Sequence, residues 1–134
     1  MPNPLTSGTQ HMTVIWTNPS ASYATDRSIF TAPYDCTVQS INEVHSVVGS
    51  DPGAINLQIT KDTGTTAPGA GTDLLSNNTN AGFNLKSTIN TVVYGAFKAG
   101  VSRKLSRGDR LSLDFAGDHT DVNGLTVTIV VNRS

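Results

Sequence analysis

Glutamate occurs once in the 134 residues, at Glu43, glutamine three times and lysine four, and charged residues make up only 14% of the chain. An ordinary domain carries about 25%, and the missing types are the straight-chain residues that favour helices. There is one cysteine, Cys36, so an internal disulfide framework is excluded, which fits folding in a reducing compartment. Cys36 sits in an extended, partly apolar run and reads as a small core residue. A reactive thiol would want a base and an electropositive setting, and none can be assigned. No uninterrupted apolar run approaches the ~20 residues that span a bilayer. Met1-Pro2-Asn3-Pro4 has neither the basic nor the apolar region of a signal peptide. A net charge of −1 and a pI near 6.2 exclude a generally basic nucleic-acid binder.

Neutral polar residues fill the space: 18 Thr, 13 Ser and 11 Asn occupy 42 positions. That composition, with helix formers scarce, predicts an all-β chain. Residues 1–10 are polar and aperiodic and read as an N-terminal arm that orders only by lying on something. Residues 11–134 read as a single domain. Strand signals cover His11 to Thr17, Arg27 to Ala32 and Cys36 to Val48. In the last of these the apolar parity slips between Val38 and Ile41, which predicts a β-bulge.

Three segments alternate cleanly. Ile55, Leu57 and Ile59 oppose Asn56, Gln58 and Thr60; Leu111, Leu113 and Phe115 oppose Arg110, Ser112 and Asp114; Leu125, Val127, Ile129 and Val131 oppose Thr126, Thr128 and Val130. Period-2 alternation predicts one buried and one wet face, as in antiparallel sheets. Shorter strands at Gly82 to Lys86 and Thr91 to Lys98 bring the total to about eight. With turn residues between them, an antiparallel two-sheet sandwich follows, jelly-roll-like first and immunoglobulin-like second.

Candidate chemistry is thin. Gly64 to Thr72 superficially resembles a phosphate loop, but Gly71 stands where a Walker motif needs lysine; the stretch reads as a surface loop. His11, His45 and His119 share no metal-ligand spacing. Glu43 and His45 lie two apart on one strand, a spacing that suits an acid–base couple but reads better as a hydrogen-bonded surface or interface pair. Asp114, Asp118 and Asp121 surround one loop, a pattern that calcium would accept and that ordinary turns also produce. Arg107-Gly108-Asp109 reads as a turn launching a strand. Arg103, Lys104, Arg107 and Arg110 put four of nine basic residues within eight positions, without the interleaved aromatics of a single-strand platform. They read as a solvated rim or as a salt-sensitive contact for an acidic protein. No catalytic constellation, metal set or cofactor motif is defensible, so the chain is expected not to be an enzyme.

The runs Phe30-Thr31-Ala32-Pro33-Tyr34-Asp35-Cys36-Thr37-Val38, Gly53 to Leu57, Thr63 to Gly71, and Leu105 to Phe115 together resemble the small β-sandwich head-decoration, or cement, proteins of tailed bacteriophages. The resemblance spans residues 25–134. Leu105 to Leu113 is also similar to a strand start of tumour-necrosis-factor-like jelly rolls, which assemble as trimers. The resemblance implies a non-enzymatic virion protein, assembled in the host cytoplasm, that decorates and stabilises the capsid surface as a homotrimer. Its partners would be the major capsid protein and itself, with neither nucleic acid nor membrane. Pro2, Pro4 and Leu5 of the arm, with Arg103, Lys104 and Arg107, are then the expected capsid or subunit interface. The alternative is a carbohydrate- or receptor-binding module of a phage fibre or lectin-like protein, using Trp16, Tyr23, Tyr34 or Tyr94 as stacking platforms.

Overall fold

The computed structural model describes residues 11–18, 26–76 and 82–134. Ten strands follow one another: β1 (His11–Thr17), β2 (Arg27–Thr31), β3 (Cys36–Val44), β4 (Asn56–Asp62), β5 (Thr72–Asp73), β6 (Phe83–Asn84), β7 (Val93–Tyr94), β8 (Lys104–Leu105), β9 (Arg110–Ala116) and β10 (Thr126–Arg133). They form two antiparallel sheets. One runs β1-β10-β3-β7, with β8 also on β3; the other runs β2-β9-β4-β5, with β6 also on β4. Because β7 and β8 share one neighbour and β5 and β6 another, ten short strands fill eight places. The chain alternates between sheets in the jelly-roll order. β5 and β8, two residues each, carry too little periodicity to be read from sequence.

The alternating apolar residues of both sheets meet in one core. Val38, Ile41, Ile55, Leu57, Ile59, Leu111, Leu113, Leu125, Val127, Ile129 and Val131 are all fully buried. Cys36 is buried among them, and burial first, then the charges of Asp35 and Asp109, pushes its thiol pKa up, away from nucleophile chemistry. The expected bulge is present: Val130 pairs with Ser40 but Val131 with Val38, leaving Gln39 as the extra residue. It lets both Val38 and Ile41 face inward. A second irregularity, at Ile29 in β2, left no parity signal in its short strand.

The outward face of β4 departs from expectation. Asn56, Gln58, Thr60 and Asp62 are all buried rather than wet. Residues 63–76 fold back against Gln58, Thr60 and Asp62, while the Asn56 carbonyl meets the buried His119 ring at the other end of the strand. The Gln58 amide acts as a substitute strand: Oε1 accepts from the Leu75 N–H (2.9 Å) and Nε2 donates to the Leu75 carbonyl (3.2 Å). The Asp62 carboxylate accepts from the N–H groups of Gly69 (3.2 Å) and Gly71 (3.0 Å) and from the hydroxyls of Thr60 and Ser112. Residue 71 must be glycine, since a Cβ there would lie 2.1 Å from the Lys61 carbonyl oxygen. The resemblance to a phosphate loop thus resolves into a strap fastened to a buried carboxylate.

Candidate docking surface

One end of the sandwich collects most of the positive charge. Reading across the first sheet, His11 pairs with Asn132, Asn132 with Thr37, and Thr37 with Lys104. This row ties the start of β1 to the end of β10 and to β8. Lys61, Arg103, Lys104, Arg107, Arg110 and Arg133, six of the nine lysines and arginines, lie on or beside it. They outnumber Asp35, Asp109 and the buried Asp62 at the same end.

The cations are held in different ways. Arg103 lies over the Phe97 ring, 4.4 Å from its centroid, and Arg133 over Tyr34 at 4.3 Å, so each guanidinium group is held at an aromatic face. The Lys61 ammonium donates to the Lys104 carbonyl (3.2 Å). Arg110 donates to the carbonyls of Gly64 (3.1 Å) and Thr66 (2.9 Å) and so braces the strap's first turn. The Arg107 backbone N–H donates to Asp35 (3.0 Å) while its side chain stays exposed. In the tight turn here the Asp109 N–H donates to the Ser106 carbonyl and Gly108 has φ +91°. The Arg-Gly-Asp tripeptide therefore launches β9, as read from sequence.

Arg103, Lys104 and Arg107 are thus brought together. Pro2, Pro4 and Leu5 lie outside the described residues, but the chain that carries them enters the sandwich at His11, in the same row as Lys104. That convergence was invisible in sequence, where a hundred residues separate the two groups.

The opposite end is acidic and self-contained. Asp51 accepts from the N–H groups of Gly53 and Asp118, and Asp118 from the backbone and hydroxyl of Thr120, while Ser50 donates to Asp121. The Thr120 bonds hold the Asp118 carboxyl below its ordinary range. Asp114 is not part of this group. It projects from β9, where burial first, then the charges of Asp26, Asp73 and Asp62, raises its pKa. Among the described residues no three metal-ligating side chains gather in a metal-binding arrangement.

The remaining candidates are dispersed. Glu43 and His45 do hydrogen-bond (2.9 Å), but both are buried, with 1% and 0% exposure, so the pair is not on the surface. The Ile41–Glu43–His45 alternation after the bulge turns them inward. Desolvation, only partly opposed by the His45 bond and charge, raises the Glu43 pKa. His119 is also buried, its ring between the carbonyls of Gly117 and Asn56 (3.0 and 3.1 Å) and edge-on to Phe115. Trp16 packs partly buried against the core, Tyr34 lies beneath Arg133, and Tyr23 is outside the described residues. Of the three described, Tyr94 alone is widely exposed, at 72%.

No family model, curated protein or solved structure matches the chain.

Proposed function

We propose that the protein is a non-enzymatic decoration protein of a phage capsid, a homotrimer that docks on the shell's outer surface through its basic end. The observation that carries this reading is the convergence of Arg103, Lys104 and Arg107 with the point where the N-terminal arm joins β1. An arm and a cluster of cations leaving one end of a rigid sandwich suit grip on a large acidic protein surface. The resemblance of residues 25–134 to cement proteins supplies the class of partner, the major capsid protein. Three copies make three modest contacts act as one tight one. Ordering residues 1–10 on the shell would cost roughly 1–2 kcal/mol per residue, which the restricted backbones of Pro2 and Pro4 would lower and an apolar contact of Leu5 would help offset.

The test is binding to shells that lack the protein, at rising salt. Binding should weaken steeply with ionic strength, since exposed cations are screened. A variant carrying Arg103→Ala, Lys104→Ala and Arg107→Ala should bind at least tenfold more weakly while unfolding within about 5 °C of the parent, the shift expected from losing the Arg103 stack on Phe97. Free protein should have a native mass near 42 kDa, three times 14.1. A protein that stays monomeric at high micromolar concentration and ignores the shells sinks the reading. Among the described residues, exposed Tyr94 is the feature favouring the carbohydrate-binding alternative, and a glycan array with hits abolished by Tyr94→Ala would establish it instead.

A further inference from the structure

The outer edge of β1 is left unused by this function. β1 pairs with β10 over all seven residues, and no described strand pairs with its other side. The Asn18 N–H donates to the Leu125 carbonyl (2.9 Å), one step beyond the Thr17–Thr126 pair. Bonded and non-bonded pairs alternate along an antiparallel ladder. Met12, Val14 and Trp16 therefore turn their backbone groups toward β10, while His11, Thr13, Ile15 and Thr17 turn theirs outward. Four N–H and four C=O groups make an open strip about 20 Å long.

Natural edges are blunted by charge, proline, bulges or brevity. β1 has none of these. It is seven residues long, unbroken in register, and free of Asp, Glu, Lys, Arg and Pro. One face carries Ile15, 65% exposed, among His11, Thr13 and Thr17. The other carries Met12, Val14 and Trp16, only partly buried, with the Arg27 guanidinium of β2 bringing a charge over the Trp16 ring at 6.0 Å.

We propose that this edge pairs with the same edge of a second copy, antiparallel about a two-fold axis at Val14. That register sets His11 opposite Thr17 and Thr13 opposite Ile15. All eight outward backbone groups are then bonded with none left over. Val14 meets itself, and Met12 meets Trp16, across the non-bonded positions. The strand is its own complement, which is why a second copy is the occupant. Self-pairing opposes no like charges, since His11 meets Thr17 and the two Arg27 groups, each over a Trp16 ring, fall at opposite ends of the seam. It covers Ile15 on one face and Met12, Val14 and Trp16 on the other. The contact is isologous and separate from any three-fold assembly. It is small beside the roughly 800 Å² per partner of a standard interface, so it forms at high micromolar concentration, or where a surface already holds copies side by side.

Amide hydrogen exchange on the full-length protein at rising concentration reads the proposal directly. The amides of Met12, Val14 and Trp16 should be protected throughout. Those of Thr13, Ile15 and Thr17 should exchange fast in dilute protein and slow at least tenfold when concentrated. A mixture of labelled and unlabelled protein should show a Val14 Hα–Hα contact between copies. Ile15→Lys, whose side chain points to solvent, should weaken this association at least tenfold and leave the unfolding temperature unchanged. Odd-numbered amides that exchange fast at every concentration overturn the proposal. Protection that does not depend on concentration overturns it too, because the chain itself, its residues 1–10 included, would then cover the edge. Concentration-dependent protection that Ile15→Lys leaves intact is the third result that rules it out.

Discussion

Gln58 on β4 and Thr128 on β10 hold equivalent places: each is the polar member of an alternating strand, pointing away from the core. Gln58 is 1% exposed and wired to the backbone of Leu75, whereas Thr128 is only half-buried and has Ile15 and Asn42 as its cross-strand neighbours. The second sheet is thus roofed by residues 63–76 over Gln58, Thr60 and Asp62, and the first presents Thr13, Ile15, Thr128, Asn42 and Tyr94 on an open, uncharged face. Neutral polar side chains serve both roles. What distinguishes the sheets is a strap whose glycines approach a strand closely enough for one aspartate to hold it.

Substitutions on the two faces should separate them sharply. Asp62→Ala leaves the Gly69 and Gly71 N–H groups and two hydroxyls without their acceptor, and should cost about 3–5 kcal/mol in urea unfolding. A loss under 1 kcal/mol would mean that the roof contributes little. Gly71→Ala forces a Cβ onto the Lys61 carbonyl and should cost about 2–4 kcal/mol, with faster amide exchange confined to residues 62–76.

The same polar-to-apolar exchange can be made on each face. Gln58→Leu strands both backbone groups of Leu75 and should cost about 1–3 kcal/mol, whereas Thr128→Val should stay within about 0.5 kcal/mol of the parent. Equal effects would erase the distinction between roofed and open sheets.

The smallest effect concerns Asp114, at the margin of the roof. Its raised pKa means that the folded state holds a proton more tightly than the unfolded chain does. Stability from this group is therefore fullest below the ordinary carboxylate range and falls as pH rises through the raised value. Asp114→Asn should raise the unfolding midpoint at pH 7 by about 1–3 °C, and the gap should close in acid. A gap that does not change with pH would assign the gain to something other than titration.

Much of this architecture is legible in the amino-acid order. Period-2 alternation marks β4, β9 and β10, and the slipped parity between Val38 and Ile41 marks a bulge at Gln39. The roof is not legible, because Gln58 and Thr60 look the same under water or under backbone. The only trace is the spacing of Gly69 and Gly71 from Asp62. Glu43 and His45 misled in the same way, since polar identity suggested surface while the bulge upstream turned them inward. The docking surface was half legible: Arg103, Lys104 and Arg107 cluster in sequence, but their nearness to the arm depends on β1 pairing with β10 and β8 with β3, contacts that span nearly the whole chain.

With His11 opposite Asn132, the first and last strands finish side by side, about 5 Å apart. A linker of a few residues can join them, so the chain can be reopened at the turn of residues 50–53 as a circular permutant with its sheets intact. Position then decides what an added peptide meets. Fused after Ser134, it emerges among the cations; inserted at residues 50–53, it projects from the opposite pole. A scaffold that presents cargo outward from a surface would be built on the second site, not on the termini.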